Sequence, residues 1–240
     1  MIRKVMIMQK KTVLNPENTL VQQCYNEIKN DIIEGVLKPG QKLKVEMFKQ
    51  RFSVGQSPIR EALSQLLMTG LVTTEENKGF RVAKISEADV RDIYATFTII
   101  ETNALKLAIK HGDENWEATI VAEFHKLSLI ENNPKEVPYE LWADQNYKFH
   151  RALIAGCNSP ALLEIQNILY LQFDRYCRMA YHMNPQHTST NHDQEKKDDH
   201  KKIVDAVLKR DTKTAVDLMT YHINEPLKDV IHVLKTQKMI

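Results

Sequence analysis

Glycine, cysteine and long apolar runs are all scarce in this chain. Seven glycines occur among 240 residues, and only Gly112 and Gly156 lie beyond residue 84. With so few residues able to take the tight turns of a sheet, the long second part reads as helix. The three cysteines (Cys24, Cys157, Cys177) show neither metal-finger nor redox spacing. Their odd number argues against a disulfide framework and for a reducing, cytoplasmic location. No apolar run approaches the roughly 18 residues of a membrane span, which excludes a membrane partner from the reading. The opening segment Met1–Met8 is too short for a signal peptide, so residues 1–14 are expected to form a flexible tail. Internal repeats and low-complexity tracts are absent as well.

The net charge of +2 hides an asymmetry. Residues 1–84 carry 14 Lys+Arg against 8 Asp+Glu, a net of +6, whereas the remainder carries 19 against 23, a net of −4. A modestly basic module at one end of a mildly acidic chain suits specific DNA binding there, not the coating of nucleic acid along a whole surface.

Within the basic part, residues 49–74 read as a helix end, a tight turn, an amphipathic helix and a strand. Gly55 can supply a positive φ for the turn, Ser57 a cap and Pro58 the first helical position. Ile59, Leu63, Leu66 and Leu67 recur at helical spacing and form one buried face. Gln56, Ser57 and Arg60 are polar at the amino-terminal end, the end that a helix-turn-helix inserts in the major groove. Upstream, Leu20 to Val36 is an amphipathic helix followed by a Lys-rich turn, Leu37 to Leu43. Downstream, Leu71–Thr74 and Phe80–Ala83 alternate as short strands around Glu75-Glu-Asn-Lys-Gly79, which reads as a hairpin tip. Lys78 and Arg81 stand where a wing would meet the sugar-phosphate backbone.

Residues 15–84 thereby resemble the winged helix-turn-helix of the GntR family of bacterial transcriptional regulators. The resemblance rests on Gly35-Val-Leu-Lys-Pro-Gly40, Val54-Gly-Gln-Ser-Pro-Ile-Arg-Glu-Ala-Leu63, Gly70-Leu-Val72 and Asn77-Lys-Gly79. It implies that Arg60 reaches base edges, Ser57 a phosphate or base, and Lys78 and Gly79 the minor-groove side, with Arg51 also in the DNA-facing set. The family usually has Arg or Lys where this chain has Gln56. Gln suits adenine where Arg suits guanine, so an altered operator preference is expected.

After residue 84 strand signals stop, and residues 85–240 read as an all-α antiparallel bundle. Six helices are expected: Ser86 to about His111, Asp113–Asn132, Pro138–Ala155, Ser159–Met183, about Gln194–Lys209, and Thr212–Leu234. The fold class is therefore mainly α, a winged helix joined to a helical bundle. Three histidines face inward in it. His150 shares a face with Leu153, Ile154 and Asn146, while His200 precedes Ile203, Val204 and Val207 at the same spacing. His222 follows Ala215, Leu218 and Met219 on a turn that reverses near Arg210-Asp211, which brings it level with His200 on an adjacent helix. Convergent imidazoles of this kind suggest one first-row metal site.

Residues 86–235 resemble the FCD effector domain of one GntR subfamily, the FadR-like regulators. The patterns that carry it are Asn146-Tyr-Lys-Phe-His-Arg-Ala-Leu153, Asp199-His-Lys-Lys-Ile-Val-Asp-Ala-Val-Leu208 and Tyr221-His-Ile223. The resemblance implies a divalent transition metal (Zn, Ni, Co or Mn) held by Asn146, His150, His200 and His222. An amide and three neutral rings would leave the ion's charge uncancelled, which favours a carboxylate effector. Asp144 is a poor ligand, because six residues before His150 put it well around the helix. Family members often use an Arg in the first helix to hold the effector's acid group, and Phe97 stands there instead. Arg151, Arg175 and Arg178 are the candidates to compensate. His182, His187 and His192 read as solvated, and Trp116 and Trp142 as core or dimer packing.

The expected function is a homodimeric transcriptional regulator, a repressor by preference, that binds a pseudo-palindromic operator in double-stranded DNA and responds to a small molecule. Two alternatives stay open. One is the same regulator with a metal-free apolar pocket; the other, of a different class, is a metal-dependent hydrolase fused to a DNA-binding module.

Overall fold

The computed structural model describes residues 19–75, 79–132, 137–184 and 194–240. The expected tail (1–14), Asn77, Lys78, His187 and His192 lie outside the described residues. Helix α1 (Leu20–Ile33) starts where the Thr19 side chain accepts from the Gln22 N–H at 3.2 Å, and it buries Cys24, Ile28 and Ile32 at four-residue intervals. Helices α2 (Val45–Phe52) and α3 (Gln56–Met68) form the helix-turn-helix. Phe48, Phe52, Ile59, Leu63 and Leu66 from these two helices are all at most 2% exposed and close a core against α1.

The turn between α2 and α3 differs from the sequence expectation. Ser53, not Gly55, takes the left-handed conformation, with φ 55°. Gly55 is extended (φ −66°) and is the residue before α3, so Ser57 lies inside the first turn and caps nothing. Pro58 is also in that first turn, where its missing N–H has no intrahelical partner to lose.

Strand β1 (Lys42–Leu43) joins β2 (Val72–Glu75) and β3 (Gly79–Val82) in an antiparallel sheet of order β1-β3-β2. The register pairs Leu43 with Phe80 and Val72 with Val82. The sequence reading took 37–43 as a turn, since two residues carry no alternation. Pairing with β3 is what makes them a strand.

Seven helices follow among the described residues: α4 (Glu87–His111), α5 (Glu114–Asn132), α6 (Tyr139–Ala155), α7 (Pro160–Met183), α8 (Gln194–Leu208), α9 (Thr212–Asn224) and α10 (Leu227–Thr236). The last two replace the single helix expected over 212–234. Pro226 breaks it: the ring has no N–H and clashes with the carbonyl of the preceding turn, so the chain restarts at Leu227. Gly112 and Gly156, the only glycines beyond residue 84, meet at one end of the bundle under Trp116. A Cβ on Gly112 would lie 2.1 Å from the indole, and one on Gly156 would lie 3.0 Å from both Gly112 and that ring. The Trp116 Nε1 donates to the Ala152 carbonyl at 2.9 Å, and Arg210 stacks over the ring while bonding the Ile109 and Gly112 carbonyls. Trp116 and Trp142, 6% and 8% exposed, both belong to the core of the bundle.

The two cores are joined along α7, which packs against α1. Gln172 Nε2 donates to the Thr69 carbonyl at 3.1 Å, and the buried Arg175 donates to the Ala83 carbonyl at 2.8 Å. Met179 approaches Gly35, where a Cβ would stand 3.5 Å away.

Between α4 and α7, Glu101 and Gln166 are fully buried and joined by an amide donation of 2.9 Å. One oxygen on each side chain has no partner. Burial raises the Glu101 carboxyl from its ordinary 4.5 to about 7, and a proton on it supplies the donor that these oxygens lack. The folded chain thus holds this proton more tightly than the unfolded chain. Its contribution to stability is full below the unfolded value of 4.5 and declines as pH rises through about 7. Glu101→Gln keeps the hydrogen-bond shape without a charge. It is expected to raise unfolding stability, by at most on the order of 3 kcal/mol, at about pH 8 while leaving it unchanged at about pH 4, as read by urea denaturation.

Candidate nucleic-acid interface and metal centre

At the amino-terminal end of α3 the side chains of Gln56, Ser57 and Arg60 are all exposed, because Ile59, Ala62 and Leu63 turn the opposite face into the core. Gly79 opens β3 with φ 77° and has no atom within 4 Å of a would-be Cβ, so there is open space at that point of β3. Arg81 donates instead to the Gly40 carbonyl at 3.1 Å and ties the wing to the loop before β1.

Arg51 is a correction. Its guanidinium is ion-paired with Asp31 and, at 3.0 Å, with Glu27, and the side chain is only 14% exposed. It binds α2 to α1 instead of facing solvent. Arg51→Ala would leave Asp31, 7% exposed, without its counter-charge. A loss of about 2 kcal/mol in unfolding free energy is expected by denaturant titration, with Arg51→Lys recovering only part.

In the bundle, α6 carries Asn146 and His150 one turn apart, α8 carries His200 and α9 carries His222. Candidate ligand atoms on the three imidazoles all lie within 4.8 Å of one another. Ring centroids are separated by 4.7 Å (His200–His222), 5.1 Å (His150–His222) and 5.6 Å (His150–His200), and the Nε2 atoms of His150 and His222 are 3.2 Å apart. Burial, reinforced by His200, pushes His150 down to about 3, so its ring is neutral and one of its nitrogens keeps a lone pair for a ligand.

Glu131, at the end of α5, was not among the sequence candidates. Its Oε1 lies 3.0 Å from His200 Nδ1 and accepts from Trp142 Nε1 at 3.3 Å. A carboxylate accepting from Nδ1 places the ring proton there and leaves Nε2 with its lone pair. That Nε2 and the Asn146 Oδ1 are both buried without a hydrogen-bond partner. Two orphaned acceptors beside two further imidazoles are what a divalent cation would satisfy, so the donor set fits a metal. A clue to Glu131 was present in the sequence, since it continues the buried spacing of Ile120 and Leu127 with a charge.

A cavity of about 70 Å³ opens beside the histidines, walled by Asn146, Phe97, Tyr139, Trp142, Tyr170, Phe173 and Asp174 among others. The structure brings Phe97 to it but none of the three candidate arginines. Arg151 donates to the Leu163 carbonyl at 3.4 Å, Arg175 is spent on Ala83, and Arg178 holds Asp174 and Asp144 at 2.8 and 2.9 Å. Asp144 is thereby engaged away from the histidines, with its side chain 63% exposed. His182 lies against Tyr139 and Tyr181 and 3.6 Å from Glu140, a more structured setting than the solvated loop expected.

Comparison with known proteins matches residues 20–82 to the bacterial regulatory proteins of the gntR family and residues 92–225 to the FCD domain. The chain belongs to the GntR family. Its combination of a GntR reading head with an FCD domain fits the FadR-like subfamily. Among relatives, it is 37% identical over 204 residues to the HTH-type transcriptional repressor GlaR of Escherichia coli, covering 85% of this chain and 92% of that one. It is 34% identical over 216 residues to the uncharacterized HTH-type transcriptional regulator BphR of Paraburkholderia xenovorans, covering 88% and 85%. Among solved structures, E. coli McbR/YncC superposes with a TM-score of 0.71 at 19% identity, covering 92% of this chain and 99% of that one, a likeness of fold. A GntR protein of this kind is a DNA-binding transcriptional regulator and not an enzyme, which removes the hydrolase alternative. Among the described residues no helix is long and apolar enough to cross a membrane.

Proposed function

We propose that this GntR regulator is a repressor that binds a pseudo-palindromic operator as a homodimer and is released by a small carboxylate bound at a divalent transition metal in the helical domain. The observation that carries the sensing part is the cluster of buried His150 and His200 with half-buried His222, together with the unpartnered Nε2 of His200 and Oδ1 of Asn146. In this reading residues 15–84 are the reading head, residues 85–240 the sensing and dimerising domain, and the protein works in the cytoplasm with its DNA. The repressor sign is supported by relatives that carry that description, GlaR among them. The dimer reading draws on Ile99 and Ile165, apolar side chains 60% and 47% exposed on the packed helices α4 and α7, which a second copy would cover.

Asn146 and the three histidines would hold the metal, which would offer open coordination positions to an oxygen ligand. Neutral rings and an amide cancel none of its charge, and Glu131 offsets one unit through His200. A monoanion therefore balances the centre. Helix α7 supplies the route to DNA. Tyr170, Phe173 and Asp174 face the cavity, while Gln172 and Arg175 hold the Thr69 and Ala83 carbonyls of the reading head. A ligand that shifts α7 would reset the spacing of two heads on their half-sites.

On the DNA side, Arg60→Ala is expected to weaken operator binding about tenfold or more in fluorescence anisotropy at fixed salt, with little change in non-specific binding. Unchanged specific affinity would sink the role of Arg60. For the sensor, protein purified without chelator or affinity nickel is expected to carry about one metal per chain, lost in His200→Ala. Glu131→Gln should retain the site with roughly 10- to 100-fold weaker affinity for zinc or manganese. Metal-free wild type that stays empty after adding either ion would favour the metal-free pocket.

A further inference from the structure

The cavity beside the histidines has a second polar point, on the wall formed by α7. Asp174 is 6% exposed and lines that cavity. Among the described residues its one hydrogen-bond donor is Arg178, whose Nε reaches Oδ2 at 2.8 Å. Arg178 is itself divided, since a terminal nitrogen also holds Asp144 at 2.9 Å. One guanidinium thus serves two carboxylates. The cavity wall that Asp174 shares includes Phe97 and Phe173, whose rings stack at 4.7 Å, and among the described residues no donor reaches the other Asp174 oxygen. A carboxylate oxygen in a mostly apolar wall gains from a donor, and a ligand that carries one can supply it. Burial holds the Asp174 carboxyl above the usual range despite Arg178.

The imidazole end and the Asp174 wall therefore ask for opposite things. The metal reading places an anion at the first; the second rejects an anion and accepts a donor. The cavity is small, about 70 Å³, and the histidines and Asp174 share it, so one small molecule can meet both. We propose that the effector is a small acid bearing a hydroxyl or ammonium group remote from its carboxylate, with Asp174 accepting from that group and setting specificity. This rests on the carboxylate reading of the histidine centre. Phe97, in place of an arginine, agrees with it, since no cation stands at the cavity wall to hold a second carboxylate.

The test is calorimetric titration of the zinc-loaded full chain with propionate, butyrate and valerate, and with the same acids carrying a terminal hydroxyl or amino group. Succinate and glutarate supply the dicarboxylate arm. At one or more chain lengths the hydroxyl or amino acid is expected to bind about tenfold or more tighter than its unsubstituted partner, with both dicarboxylates weaker. In Asp174→Asn the advantage of the amino acid should fall to about twofold or less, since the amide has no charge to offer. The wild-type series stands without the variant if the variant fails to fold. Zinc-dependent binding of the plain acids, lost in His200→Ala, with no gain from any terminal donor would overturn the role of Asp174 and leave the metal reading intact. Tighter binding of succinate or glutarate would do the same. Donor-bearing acids that bind equally well without zinc would support Asp174 and overturn the metal reading. No binding by any acid would overturn both.

Discussion

Burying imidazole in a helical bundle sets the main constraint on this molecule. Each ring has two nitrogens, and a core of leucine and isoleucine offers neither of them a partner. The chain meets the requirement by convergence. Four helices deliver Glu131, Asn146 and His150, His200, and His222 to one point, and α4 and α7 close the space around it with Phe97, Tyr170 and Phe173. Glu131 accounts for the far nitrogen of His200, and His150 and His222 face one another at 3.2 Å. What is left over at this point, one nitrogen and one amide oxygen, defines a polar centre inside the core. The bundle has to keep its helices in register for that centre to exist.

The second organising element is α7. It belongs to the bundle by its packing on α4 and α10, yet it also touches α1 of the reading head. Successive residues serve different neighbours: Phe173 and Asp174 look into the cavity, while Gln172 and Arg175 reach the other domain. A rigid helix with two such faces converts a displacement on one side into a displacement on the other, without a hinge between them.

Much of this was legible in the sequence because it is local. The spacing of Ile59, Leu63 and Leu66 announced α3, and the Ser86 cap announced α4. The inward faces of His150, His200 and His222 followed from their apolar neighbours at three and four residues. What escaped depended on distant partners. The two residues of β1 become a strand only against β3, and Arg51 turns inward only because α1 presents Glu27 and Asp31. Asp174 and Glu131 sit at buried positions of their helices, and their meaning depends on which chain segment lies opposite. The split of the last helix at Pro226 was a local signal that the reading passed over.

The two bonds that link α7 to the reading head, from Gln172 to Thr69 and from Arg175 to Ala83, both end on main-chain carbonyls. Every residue type has that carbonyl. Side chains on the reading head can be exchanged, including those of α3 that face outward, without removing an acceptor from this junction. A regulator built this way can acquire a new operator while retaining its old signal, and one sensing domain can serve many DNA sequences in the course of evolution.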